Sequence, residues 1–134
     1  MSKIIDIEGI GPTYAEKLKG LGIDTVEQLL EKGATPAGRK DIVAQSGVSD
    51  KLILRWINMA DLFRIKGVGE EYADLLEAAG VDTVPELAQR NADNLAAKMA
   101  EVNETKKLVR QVPSAASVTK WVDEAKELGR KITY

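Results

Sequence analysis

Two stretches decide how this sequence folds: IEGIGPTYAEKL, Ile7 to Leu18, and IKGVGEEYADLL, Ile65 to Leu76. Each sets a Gly-hydrophobic-Gly turn in front of a segment whose apolar residues recur at helical spacing. The first glycine, Gly9 or Gly67, suits a backbone position with φ above zero, and the middle residue, Ile10 or Val68, can point inward as an anchor. The second glycine, Gly11 or Gly69, opens a helix whose first N–H groups stay approachable. The partial positive charge of that terminus favours an anion. A turn of this kind either cradles a phosphate or is the tightest junction between two helices.

Working outward, a shift of 58 residues superimposes Ile7 on Ile65, Gly9 on Gly67, Gly11 on Gly69, Tyr14 on Tyr72, Leu18 on Leu76, Gly22 on Gly80 and Asp24 on Asp82. The likeness resumes with a shift of 65, which pairs Ser49 with Ser114, Arg55 with Lys120, Trp56 with Trp121 and Ala60 with Ala125. An internal duplication accounts for both registers, with seven extra residues in the second copy between about 89 and 112. The repeats run over 1–64 and 65–134. No Pro/Gly/Ser-rich linker separates them, so they are expected to pack as one helical body.

The local signals are helical almost throughout. Pro12 stands at a helix start and Gly22 at a left-handed stop. Thr25 with Gln28, and Thr83 with Glu86, fit capping boxes. Thr35-Pro36 opens a helix that ends near Gly47, and Ser49 and Ser114 cap the two Trp helices. In the first of these, Ile53, Trp56, Ile57, Ala60 and Phe63 make an apolar stripe. The two Trp residues are expected in the core, and Tyr14 and Tyr72 with rings inward and hydroxyls near the glycine turns. Strand-like alternation is not sustained anywhere, and the predicted class is all-α.

Composition narrows the function. The chain has 134 residues, 44% hydrophobic and 30% charged, with no Cys and no His. Those absences remove disulfides, thiol catalysis, Ser-His arrangements and Cys/His metal sites. Glu70, Glu71 and Asp74 form the closest acidic cluster and read as the first turn of a helix, so no metal and no cofactor is expected. The glycine turn lacks the third glycine of a dinucleotide fingerprint and no strand precedes it. The expectation is a protein without catalysis. There is no apolar run of membrane-spanning length and no apolar leader in MSKIIDIEG, which predicts a cytoplasmic protein with no membrane partner. The net charge of −2 hides an uneven distribution. Residues 1–30 carry −2, 31–64 carry +2, 65–88 carry −5 and 89–134 carry +3.

The pattern I-x-G-h-G-x-x-x-A-x-x-L resembles the helix-hairpin-helix signature, with which DNA repair and recombination proteins, polymerases and ligases grip the sugar-phosphate backbone. Ser46-Gly47-Val48-Ser49 and Gln111-Val112-Pro113-Ser114 add a degenerate second hairpin to each repeat, which makes each look like a SAM-like double unit. The whole chain, with GATPAGRKDIV and the junction from the Trp helix to IKGVG, resembles a bacterial family of uncharacterised tandem helix-hairpin-helix proteins. That resemblance implies two such repeats and no established activity.

The residues around the turns differ between the copies. DNA-gripping hairpins place a basic residue just after the second glycine, whereas Pro12-Thr13-Tyr14 and Glu70-Glu71-Tyr72 stand here. The carboxylates of Glu70 and Glu71 suit a helix N-terminus and repel a phosphate. Gly67, Val68 and Gly69 are therefore read as a structural hairpin. Gly9, Ile10, Gly11, Thr13 and Lys17 are the candidate phosphate contacts, with Glu8 and Glu16 beside them. Arg39 and Lys40 form a second basic group, and Lys106, Lys107 and Arg110 a third that would share one helix face. The leading expectation is weak, sequence-independent contact with the DNA or RNA backbone. The alternative is a protein-interaction adaptor or self-associating scaffold in which the hairpins are architectural. A small-anion sensor at the first helix terminus is a third, remote option.

Overall fold

The computed structural model describes residues 3–7 and 9–134. Among them there are eight α-helices and no strand, as the periodicity predicted. The chain divides into two compact units. The first runs to Asp61 and takes in Lys131–Tyr134, and the second is Leu62–Arg130.

In the first unit a 3₁₀ turn, Ile4–Asp6, leads to α1 (Pro12–Lys19), α2 (Val26–Gly33), α3 (Pro36–Ser46) and α4 (Asp50–Leu62), all but the last residue of which belongs to it. The boundaries follow the caps. Thr25 Oγ1 accepts from Gln28 N–H at 3.2 Å while the Gln28 amide oxygen accepts from Thr25 N–H at 3.1 Å, a complete capping box. Thr35 and Ser49 cap α3 and α4 through the N–H groups of Gly38 and Leu52. Leu18, Val26, Leu29, Ile42, Ile53, Trp56 and Ile57 are buried. Gly33 lies so close to Ile57 that a Cβ would overlap its Cδ1. The chain end is fastened to the same unit. Ile132 is buried, Thr133 N–H donates to the Ala34 carbonyl at 2.7 Å, and the Tyr134 hydroxyl donates to Asn58 Oδ1 at 2.9 Å.

The second unit repeats the plan with α5 (Glu70–Ala78), α6 (Val84–Ala88), α7 (Ala92–Lys106) and α8 (Ala115–Leu128). The helix α8 packs on α6 and α7, and α7 packs on α5. Ser114 caps α8 as expected. Thr83 makes no side-chain cap to α6. Its intended partner, Glu86, instead accepts from Asp82 N–H at 3.0 Å, one residue farther back, while Thr83 itself is buried. Part of the extra length of this repeat lies in α7, which has 15 residues against 11 in α3. The rest is an extended loop before α8. Asn103 pins that loop from both sides: its amide nitrogen donates to the Val109 carbonyl and its oxygen accepts from Val109 N–H, each at 3.0 Å.

Candidate functional site

The two glycine turns have the same backbone. Ile7 N–H donates to the Ile4 carbonyl at 3.0 Å and Ile10 N–H to the Ile7 carbonyl at 3.1 Å. Ile65 N–H to Leu62 and Val68 N–H to Ile65, both 3.1 Å, repeat the pair. Gly9 has φ +94° and Gly67 φ +90°, a region that side chains disfavour. Ile10 and Val68 are buried, so the middle residue anchors each turn. Gly11 and Gly69 are the N-caps of α1 and α5 and offer no side-chain cap. The first intrahelical bonds are made by Ala15 and Ala73, each at 2.9 Å to the capping glycine. In α1, with Pro12 lacking an N–H, the N–H groups of Thr13 and Tyr14 have no intrahelical acceptor.

Behind each turn stands a Trp, and against it a Tyr. The Tyr14 and Trp56 rings are 5.1 Å apart at 60°, and the Tyr72 and Trp121 rings 5.3 Å apart at 53°. These tilted pairs are favourable aromatic geometries and set the helix carrying the Trp against the helix that leaves the turn. A Cβ on Gly9 would lie 3.4 Å from Trp56 Nε1, and one on Gly67 would lie 3.4 Å from Trp121 Nε1. Trp56 Nε1 is buried and has no hydrogen-bond partner among the described residues. The tyrosine hydroxyl does not stay at the turn in the second unit. It crosses to donate to the Gln111 carbonyl at 3.2 Å, in the loop before α8.

The surroundings then diverge. In the second unit Lys66 N–H donates to both oxygens of the Glu124 carboxylate, at 3.1 and 3.2 Å, so a side chain of the protein itself brings negative charge to that turn. Glu70 and Glu71 add two more carboxylates at the start of α5. The residue equivalent to Glu124 in the first repeat is Met59, which is buried. There a basic side chain lies against Gly9: Arg55 Nη1 would be 3.2 Å from a Cβ on that glycine. Thr13 and Lys17, four residues apart on α1, are exposed on one face, with Glu16 also exposed. Glu8 lies outside the described residues. Arg55 was not foreseen as part of this site, although its pairing with Lys120, a second basic residue one place before a Trp, was a usable signal.

The other basic candidates form two groups, one in each unit. Arg39 is half-buried and holds the chain end: Nη1 donates to the Gly33 carbonyl at 2.9 Å, Nη2 to the Thr133 carbonyl at 2.7 Å, and its guanidinium lies 5.5 Å from the centre of the Tyr134 ring. Lys40 is exposed. Lys106, Lys107 and Arg110 do not share a helix face. Lys106 is the last residue of α7, Lys107 turns left-handed at φ +50°, and Arg110 follows in the loop that Asn103 pins. All three are exposed.

One carboxylate is perturbed. Burial, then the charges of Glu86 and Glu77, push Asp82 above the ordinary aspartate value. Its counterpart Asp24 faces Lys3, with Nζ to Oδ2 at 3.5 Å. Among the described residues no group of three or more acidic side chains is arranged to hold a metal ion, and no helix is long and apolar enough to cross a membrane. No curated protein and no solved structure matches the chain. Residues 8–128 match a domain of unknown function, and the chain thereby belongs to the DUF4332 family.

Proposed function

We propose that the chain is a non-catalytic binding module of two helix-hairpin-helix repeats that touches the backbone phosphates of nucleic acid through its first turn. One observation carries this reading. Two turns with the same hydrogen bonds differ in what surrounds them: Glu124 accepts from Lys66 N–H at the second and Glu70 and Glu71 open the helix that leaves it, whereas Arg55 adjoins Gly9 in the first. In the first turn, the N–H groups of Thr13 and Tyr14, the Thr13 hydroxyl and the Lys17 ammonium are the donors for one phosphate. Contacts of this type position a protein on the backbone and carry no base sequence. The second turn is architectural.

The test is a titration with duplex and single-stranded DNA and RNA at several salt concentrations, following backbone amides. The reading expects shifts at Gly9 to Tyr14, an affinity that falls linearly with log salt, and weaker binding by Lys17→Glu. No shift at low salt overturns it. An adaptor role is the second reading, favoured by an open apolar cleft of about 760 Å³ formed by α3 and α4.

A further inference from the structure

From that cleft, which no residue of the glycine turn lines, we infer a docking site for an acidic amphipathic helix of a protein partner. On α3 the cleft is lined by Pro36, Lys40, Val43 and Ala44, which fall at i, i+4, i+7 and i+8 and so share one side of the helix. Leu54 and Lys51 line it from α4. Its volume lies inside the roughly 300–1,000 Å³ range of ligand-binding clefts.

The walls specify the occupant. Pro36, Val43, Ala44 and Leu54 are aliphatic, and none is aromatic, so the cleft suits leucine-like side chains and offers no surface for stacking a base. Lys40 and Lys51 are exposed at the rim, one from each helix, with Arg39 a third cation and Asp50 the single acid. The hydrogen bonds of Arg39 go to the neutral carbonyls of Gly33 and Thr133. An apolar groove under a net positive rim is complementary to a helix with apolar residues at i, i+3, i+4 and i+7 and acidic residues beside them. A second copy fits less well. The most acidic helix, α5, has Ala73, Leu75 and Leu76 buried and presents its carboxylates without an apolar anchor.

The probe is a fluorescently labelled helical peptide with Leu at i, i+3, i+4 and i+7 and Glu elsewhere, titrated by anisotropy. The matching peptide with Lys in place of Glu is the control. Binding of the Glu peptide is expected, with amide shifts on α3 and at the start of α4. The double variant Lys40→Glu, Lys51→Glu, changing only exposed residues, is expected to weaken it at least ~10-fold. Lys17→Glu is expected to leave it unchanged, which separates failure here from failure of the phosphate reading. Equal binding of the Lys peptide, no binding of either, displacement by duplex DNA, or self-association abolished by the double variant would each overturn the inference.

Discussion

At Gly9–Gly11 and at Gly67–Gly69 the chain makes the same turn, with the same hydrogen bonds, the same positive φ and the same Tyr-Trp pair behind it. Beside the first lies Arg55, with Lys17 and Glu16 exposed farther along α1, and around the second lie Glu124, Glu70 and Glu71. The difference separates two things that one motif can do. What recurs is the part that makes a turn and packs it, and what has diverged is the part that a ligand would meet. In the second unit the acidic side chains supply internally the negative charge that a helix N-terminus favours.

The shared part can be broken first. Trp56→Ala and Trp121→Ala remove equivalent buried side chains, and each is expected to cost about 3–5 kcal/mol in denaturant melts. A loss confined to one of them would mean that the packing is not duplicated. Gly9→Ala and Gly67→Ala force a side chain into positive φ, for about 1–3 kcal/mol each. Gly9→Ala is expected to be the worse, because the new Cβ meets Arg55 as well as Trp56. Equal costs would mean that the Arg55 guanidinium moves aside freely.

The divergent part is probed by smaller changes. Glu124→Met installs the residue of the first repeat and deletes the acceptor of Lys66 N–H, with an expected loss of about 1 kcal/mol. The smallest effect concerns Asp82 and Asp24. Since the fold raises the affinity of Asp82 for its proton, the charged form costs stability at neutral pH. That cost fades as pH falls through the raised native value, and is gone below the ordinary value of 3.8. Asp82→Asn should therefore stabilise slightly at pH 7 and not in acid. Asp24→Asn, which loses an exposed ion pair with Lys3, should go slightly the other way. Melts at the two pH values read both signs.

What was legible in the sequence follows the range of the interactions involved. The glycine turns, the Thr25–Gln28 box and the Ser49 and Ser114 caps are set within a few residues, so residue type and spacing sufficed. Glu124 reaches Lys66 across 58 residues and Arg39 reaches Thr133 across 94. Nothing local signals such partners. The end of α7 was misread for a related reason. No glycine or proline marks it, and Lys107 takes the left-handed turn itself while Asn103 pins the loop that follows. The charges of Lys106, Lys107 and Arg110 were visible, but not the backbone that carries them off one face.

The most direct test of the central claim reads both turns in one sample. Backbone amides of Gly9 to Tyr14 and of Gly67 to Tyr72 are followed while a DNA duplex is added at low salt and then displaced by added salt. Shifts confined to the first group and reversed by salt are the expected result. Equal shifts in both groups, or shifts confined to the second, would contradict the assignment of one turn to a ligand and the other to the fold.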